Sequence, residues 1–308
     1  MKHESHGLPA RRRQPQRAVE HQLSCIELVR CCTNLIDELQ RERGLGQLVL
    51  STLGESYAAA LREQILISGE AEQALREQLA RIDLGRSAPE PMLADLEGMR
   101  RRVLLTRCSR QDMFDAYCTR IAQLLGLVEA AHAGLHESEL ESRLATLLHL
   151  MHAKEYSGQE RARGAGLFVG ARHDVRDWQQ IRGLVEAQQY CASRFVSQAD
   201  ADARRLLKEQ LELDTQAELE RLRQLLAETP DQAPLDPGLG ELWFRSCSRR
   251  MNELREVERQ LLQGMRESLE RRLGRRRPSA ADAMLRTAAW LKGGTGATLE
   301  PLGRYAAP

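Results

Sequence analysis

The sequence predicts an all-α protein. Leu, Ala, Arg, Glu and Gln dominate its 308 residues, and these residue types favour helices. Aromatic residues make up only 4% of the chain and β-branched residues are sparse, so a large β-sheet is not expected. Apolar residues recur at spacings of three and four along most of the chain, which is the period of an amphipathic helix. We therefore expect long antiparallel helices that pack in bundles.

The helices follow a polar, basic segment, residues 1–18, that we interpret as a mobile N-terminal tail. Periodicity then begins at residue 19 and is interrupted by Gly44, Gly46 and Gly54. Asp174 is a candidate N-cap, and glycines and prolines are typical of the helix ends. Further helices are predicted over residues 55–83, 91–131, 138–171, 174–197, 200–228, 239–275 and, in the C-terminal tail, 280–291.

Composition and motifs exclude several classes of protein. A net charge of +1 argues against a protein that coats nucleic acid. No apolar run is long enough to span a membrane and no signal peptide is evident, so we expect a cytoplasmic location. The phosphate-binding loop, GxSxG and HExxH signatures are missing, so we predict no enzyme, no cofactor and no metal. His149 and His152 with Glu155 are the nearest metal-like set, and we interpret them as an ordinary polar face.

Two arginines fall on apolar helix faces. Arg250 is in register with the stripe formed by Trp243, Cys247, Leu254, Val257 and Leu261. Arg43 shares a face with Ile36, Leu39, Gln47 and Leu50, provided that the helix continues through Gly44 and Gly46. A buried guanidinium needs a partner, because an unpaired buried charge costs several kcal/mol. That partner is either a carboxylate, in an ion pair, or an anion bound from solution.

A third candidate region is Lys154–Phe168, which reads KEYSGQERARGAGLF. Small residues surround Arg161 on the predicted helix, and they allow another backbone or a small ligand to approach closely. Glycine in a helix costs ~1 kcal/mol relative to alanine. The glycines therefore indicate either tight packing between helices or a ligand site.

These segments resemble the nitrate- and nitrite-sensing (NIT) domain, the sensor part of nitrate-responsive transcription antiterminators. Residues 39–45, LQRERGL, resemble the family's "LQRERGLS" signature, and residues 154–162, KEYSGQERA, resemble its "KEXAGQERA" segment. Trp243 followed by residues 250–255, RMNELR, is similar to the last helix of the family. Gly46, Gln47 and Arg163 depart from the usual pattern and affect the expected shape of the pocket.

The resemblance implies two packed four-helix bundles over residues 19–276, with a pocket for nitrate or nitrite between helices. It also implies that Arg43 and Arg250 are ligands of the anion, with Arg161 as a secondary candidate. Nitrate is flat, and a guanidinium can donate two parallel hydrogen bonds to it. An empty pocket would hold two like charges in a low dielectric, and entry of an anion would relieve their repulsion.

The expected output is less defined. Residues 277–308 form a short C-terminal tail without a recognisable output domain, so RNA binding is not expected without an ANTAR-type domain. We predict a sensor that changes its helix packing and signals to an output protein that the sequence does not identify, with a homodimer as a possible assembly. The alternative is a helical interaction or scaffold protein with a vestigial pocket, in which Arg43 and Arg250 are ion-paired.

Overall fold

The computed structural model describes residues 10–54, 57–82, 96–133, 135 and 138–273, and the regular elements in these ranges are helices. Because no strand occurs in them beyond an isolated bridge between Arg172 and Pro234, the all-α prediction is confirmed. The helices are α1 (Ala10–Ser51), α2 (Ala58–Leu79), α3 (Leu96–Leu104), α4 (Arg110–Ala133), α5 (Ser138–Val169), α6 (Val175–Gln198), α7 (Ala201–Gln210), α8 (Leu213–Glu228) and α9 (Gly238–Arg272).

Helix α5 is central to the packing. It lies against α1, α4, α6 and α9, and α1 in turn contacts α2, α4 and α9. The N-terminal half of α5, from Leu140 to Met151, belongs to one large apolar core. Its C-terminal part, from Ala165 to Phe168, belongs to a second and smaller core that includes Trp243. The division into two four-helix bundles is compatible with these two cores and stays a prediction.

Helix α1 runs unbroken through Gly44 and Gly46 to Ser51, which places Arg43 on the predicted buried face. Residues 10–18 of the predicted tail form the first turns of α1, whereas residues 1–9 lie outside the described part of the chain. The predicted C-terminal tail and its short helix, together with residues 274–276, also lie outside it.

Two predicted helices are each divided in the structure. The first, expected over residues 91–131, is interrupted between Leu104 and Arg110, where Thr106 adopts a left-handed φ of 51°. The amide of Arg107 then donates to the carbonyl of Arg102 at 2.8 Å, which closes the end of α3. Ser109 Oγ accepts from the amide of Asp112 at 3.0 Å and caps α4. The sequence analysis missed this break because residues 105–109 contain neither Gly nor Pro, and hydrophobic periodicity does not record local capping.

The second division separates α7 from α8, where Leu211 and Glu212 are extended. Apolar spacing on either side had suggested one helix over residues 200–228. The predicted cap at Asp174 is confirmed, since its carboxylate accepts from the amide of Arg176 at 2.8 Å. Among the helices of the described ranges, none combines the length and apolarity that crossing a membrane requires.

Candidate functional site

Buried charges interrupt the apolar face of α5 between the two cores. Lys154, Glu155, Glu160 and Arg161 are all buried on this helix within two turns. We call residues 154–161 the charged segment of α5. Burial of so many ionisable groups requires partners from neighbouring helices, and these partners come mainly from α1 and α9.

Arg43 of α1 is fully buried and forms a two-point ion pair with Glu155. Its Nη1 donates to Glu155 Oε1 at 2.5 Å and its Nη2 donates to Oε2 at 3.1 Å. Nη1 also lies 3.1 Å from the sulfur of Cys118, and the guanidinium carbon lies 5.5 Å from the centre of the Phe114 ring. Burial lowers the pKa of Arg43, but the charges of Glu155 and Cys118 and the hydrogen bonds to both together outweigh burial and raise that pKa above its ordinary value.

The carboxylate of Glu155 is bound by four N–H groups, two on each oxygen. Besides the two from Arg43, the amide of Gln159 donates to Oε1 and that of Gln40 donates to Oε2, each at 2.8 Å. The expectation that an empty pocket leaves Arg43 facing only a like charge is therefore wrong. Glu155, 112 residues away in sequence, neutralises it.

Arg161 is buried without a carboxylate partner among the described residues. Its Nη2 donates to the carbonyl of Gln40 at 2.8 Å and its Nη1 to Ser248 Oγ at 3.0 Å, which connects α5 to both α1 and α9. The guanidinium also lies 4.9 Å from the centre of the Phe244 ring, and Nε has no acceptor within the described ranges. Burial, assisted by the charges of Arg43 and Arg41, lowers the pKa of Arg161 to about 9.

Arg250 lies in a more polar setting than its register predicted. Its side chain is 20% exposed, and Nη1 is 3.5 Å from Glu253 on its own helix. Burial lowers its pKa, Glu253 opposes that shift, and the charges of Arg223 and Glu160 act on it in opposite directions. Arg43 and Arg250 thus pair with different carboxylates, Glu155 and Glu253. Arg43 and Arg161 are close enough, at the junction of α1 and α5, for the charge of Arg43 to lower the pKa of Arg161.

The glycines of α5 admit side chains from neighbouring helices. A Cβ atom on Gly158 would lie 2.8 Å from Arg43 Nη2 and 3.1 Å from Met251 Cε. At Gly164 it would lie 2.1 to 2.4 Å from the indole of Trp243. The rigid indole leaves no room for a side chain at Gly164, whereas at Gly158 an added Cβ would force the ends of Arg43 and Met251 to shift. The sequence offered two interpretations of these glycines, tight packing between helices or a ligand site. Tight packing against Trp243 accounts for Gly164, and Gly158 leaves room for the guanidinium of Arg43 at the candidate ligand site.

Sequence reasoning missed the role of Glu155 and its two amide neighbours. The available signal was spacing: Gln40 precedes Arg43 by one helical turn, and Glu155 precedes Gln159 by one turn, inside the two motifs already noted. Glu155 had been grouped with His149 and His152 instead. His152 lies 3.8 Å from Glu129, and the described residues contain no set of three or more ligands suited to a metal. Arg163, noted as an extra charge, lies 4.1 Å from the centre of the Phe114 ring.

Comparison with known proteins places these residues in context. Residues 34–266 match the family described as nitrate and nitrite sensing (NIT). The nitrate regulatory protein of Klebsiella oxytoca is 27% identical over 266 residues, which cover 82% of this chain and 65% of that protein. The chain therefore spans about 65% of the length of this curated relative.

A solved structure, that of the NasR transcription antiterminator, superposes on this fold with a TM-score of 0.77. The two are 24% identical, and the match covers 92% of this chain and 78% of the other, a likeness that supports the fold. Arg43, Arg161 and Arg250 all fall inside the residues matched by the family. The chain thus belongs to the NIT family of nitrate- and nitrite-sensing domains.

Proposed function

We propose that this protein is a cytoplasmic regulator that binds nitrate or nitrite between arginines of its helical domain and transmits binding to a partner. Arg43 is the principal ligand in this proposal, Arg250 is the second, and Arg161 holds the shape of the site or adds a third donor. The observation that carries the proposal is the fully buried, two-point pairing of Arg43 with a planar anionic group.

That pairing supports a nitrate site for a geometric reason. A guanidinium that already donates two parallel hydrogen bonds to a flat carboxylate is positioned for another flat oxyanion. Lysine would offer only a point charge. The site also lies where α1 and α5 meet, with Ser248 of α9 bound to Arg161 nearby. An anion that alters contacts there shifts the packing of three long helices, and this shift is the signal in our proposal.

The regulatory names of the relatives support an output through gene regulation, such as transcription antitermination. We propose that an output protein receives the signal. A homodimer is the assembly that this proposal includes.

A second candidate function rests on the same ion pair. If Glu155 is a permanent partner of Arg43, the protein is a helical scaffold whose pocket is vestigial. The two candidates differ in their response to nitrate, since a scaffold has no anion-specific stabilisation.

Calorimetric titration with nitrate, nitrite, chloride and sulfate separates the two candidates, because only a sensor binds nitrate or nitrite specifically. Thermal unfolding in the same salts gives a second measurement. A ligand that binds only the folded state stabilises it by about 2.7 kcal/mol at a hundredfold excess over Kd. At roughly 2–4 °C per kcal/mol for a domain of this size, saturating nitrate should raise the melting temperature by several degrees, and equal chloride by much less. Arg43→Ala or Arg250→Ala should abolish the nitrate-specific part. Equal responses of the parent to nitrate and chloride would favour the scaffold.

A further inference from the structure

We propose that the Glu155 carboxylate occupies the oxyanion position of Arg43, and that nitrate or nitrite binds by displacing it. This inference rests on the proposed function and deepens it, because it assigns an internal competitor to the anion site. Glu155 then determines how tightly the anion binds, and its release is the first step of the response.

The geometry around Glu155 is that of a receptor for two oxygens of a planar oxyanion. Two donors from Arg43 and one each from Gln40 and Gln159 contact two coplanar oxygens at 2.5 to 3.1 Å. Nitrate and carboxylate are both planar monoanions with delocalised charge, so two oxygens of nitrate fit the same four donors. The third oxygen of nitrate needs the space where the carboxylate joins the rest of the Glu155 side chain. Nitrate and Glu155 therefore compete for one position.

Charge balance also favours exchange over addition. Arg43 has 0% side-chain exposure, and leaving it without an anion in that setting costs several kcal/mol. Exchange of one monoanion for another keeps the guanidinium neutralised throughout. Addition of nitrate beside Glu155 would instead place two anions against Arg43, with Arg161 as a further buried cation whose charge acts on the same group.

A displaced Glu155 has a route to water. Its carboxylate accepts a hydrogen bond from Gln159, and the Arg43 guanidinium that it pairs with contacts the sulfur of Cys118. Gln159 and Cys118 are both partly exposed. The ion pair thus lies one side chain below the surface of the α4–α5 seam. The released carboxylate can be hydrated there without unfolding of α5.

Displacement removes a charged connection between two helices. In the structure Arg43 belongs to α1 and Glu155 to α5, so their pairing ties the two together. After exchange, Arg43 holds the free anion and α5 contributes only the amide of Gln159. The competition also weakens apparent binding, because only the fraction of molecules with an open site is competent.

The first experiment compares nitrate affinity in the parent, Glu155→Gln and a matched control, Glu42→Gln. Glu42 also forms a buried two-point pair with an arginine, Arg100, at 2.9 and 2.6 Å. That arginine keeps Glu72 as a second partner at 2.5 Å when Glu42 is neutralised. Calorimetry should show nitrate binding at least tenfold tighter in Glu155→Gln and within about twofold of the parent in Glu42→Gln. A parent that binds nitrate, with equal or weaker binding in Glu155→Gln, would overturn the inference and leave the proposed function standing.

The second experiment does not depend on nitrate. Glu155→Ala vacates the carboxylate position, and formate is a small planar anion of the same geometry. At equal ionic strength, formate should raise the melting temperature of Glu155→Ala by several degrees more than chloride does, and should not do so for the parent. Equal effects of the two salts on Glu155→Ala would reject an exchangeable oxyanion position. If the alanine variant does not fold, the same comparison is made with Glu155→Gln. Absence of a nitrate response in the parent, with formate rescue of the variant, would reject the proposed function and, with it, displacement by nitrate, and would leave an exchangeable oxyanion position that takes another anion.

Discussion

Lys154 and Glu155 are neighbours on α5, both are buried, and they form two different kinds of ion pair. Lys154 donates to Asp37 Oδ1 at 2.5 Å and to Glu258, and Asp37 Oδ2 also forms an ion pair with Arg255, whose Nε lies 2.7 Å away. Glu155 instead pairs with one cation, Arg43, and with two neutral amides. The first set, Lys154 with Asp37, Glu258 and Arg255, we call the lysine cluster.

The difference separates a structural connection from an exchangeable one. In the lysine cluster each central ion has two or more charged partners on α1, α5 and α9, so no small anion can replace any one of them. In the Arg43–Glu155 pair, one planar anion meets one planar cation, and a free oxyanion can reproduce every contact. Adjacent residues on one helix therefore hold the fold and, in our proposal, sense the ligand.

The largest effect is expected from breaking the lysine cluster. Lys154→Met leaves Asp37 and Glu258 buried and facing each other, which should lower the free energy of unfolding by ~3–5 kcal/mol. Denaturant unfolding measures this loss. The exposed pair of Arg101 and Glu97 provides a control, since Arg101→Ala should change stability by less than ~1 kcal/mol. If folded Lys154→Met loses its specific response to nitrate, the two regions do not act separately.

Arg43→Lys tests the planar pair itself. The ammonium keeps the charge but cannot donate two parallel hydrogen bonds to Glu155 or to nitrate. Loss of one hydrogen bond between charged groups should cost ~1.5–3 kcal/mol of stability. The nitrate-specific rise in melting temperature should disappear. Retention of that rise in Arg43→Lys would show that a point charge suffices and that the two regions recognise anions alike.

Gly158→Ala tests the space that Arg43 needs. The new Cβ would lie 2.8 Å from Arg43 Nη2, which must shift away from Glu155. We expect a loss of ~1–3 kcal/mol in unfolding free energy, as for other overpacked sites, and weaker nitrate binding by calorimetry. Gly126→Ala in α4 is the matched control, because nothing lies within 4 Å of its added Cβ. That control should gain up to ~1 kcal/mol from helix propensity alone.

The last effect is a pH dependence of stability from the lysine cluster. Burial raises the pKa of Glu258 from its ordinary value of 4.5 to about 7. Between these two pH values the folded state keeps a proton that the unfolded state has lost, so stability falls as pH rises through this window. One such group changes the unfolding free energy by at most ~1.4 kcal/mol per pH unit.

Glu258→Gln should remove this contribution and flatten the parent's profile between pH 4.5 and 7. Denaturant unfolding at several pH values provides the measurement. Asp37, whose pKa Lys154 and Arg255 hold below its usual range despite burial, acts in the opposite sense at lower pH. A Glu258→Gln profile parallel to that of the parent would contradict a protonated Glu258.

Part of the candidate site could be predicted from the sequence. Helical spacing put Arg43 on a buried face, and the structure confirms that burial. The same reasoning overestimated the burial of Arg250, whose side chain is 20% exposed. A helical stripe does not say which neighbouring helix covers each of its positions. The break at Thr106 was missed for a related reason, since a left-handed cap there depends on local hydrogen bonds that periodicity does not record.

The sequence by itself determined the helical class, the buried position of Arg43 and the need for small residues near Arg161, because these follow from composition and a period of 3.6 residues. Only the tertiary structure decided that Glu155 pairs with Arg43 and Lys154 with Asp37, 112 and 117 residues away in sequence. Neighbouring residues on a helix point in directions about 100° apart. Which helix lies in each direction, and hence which charge each residue meets, is set by packing.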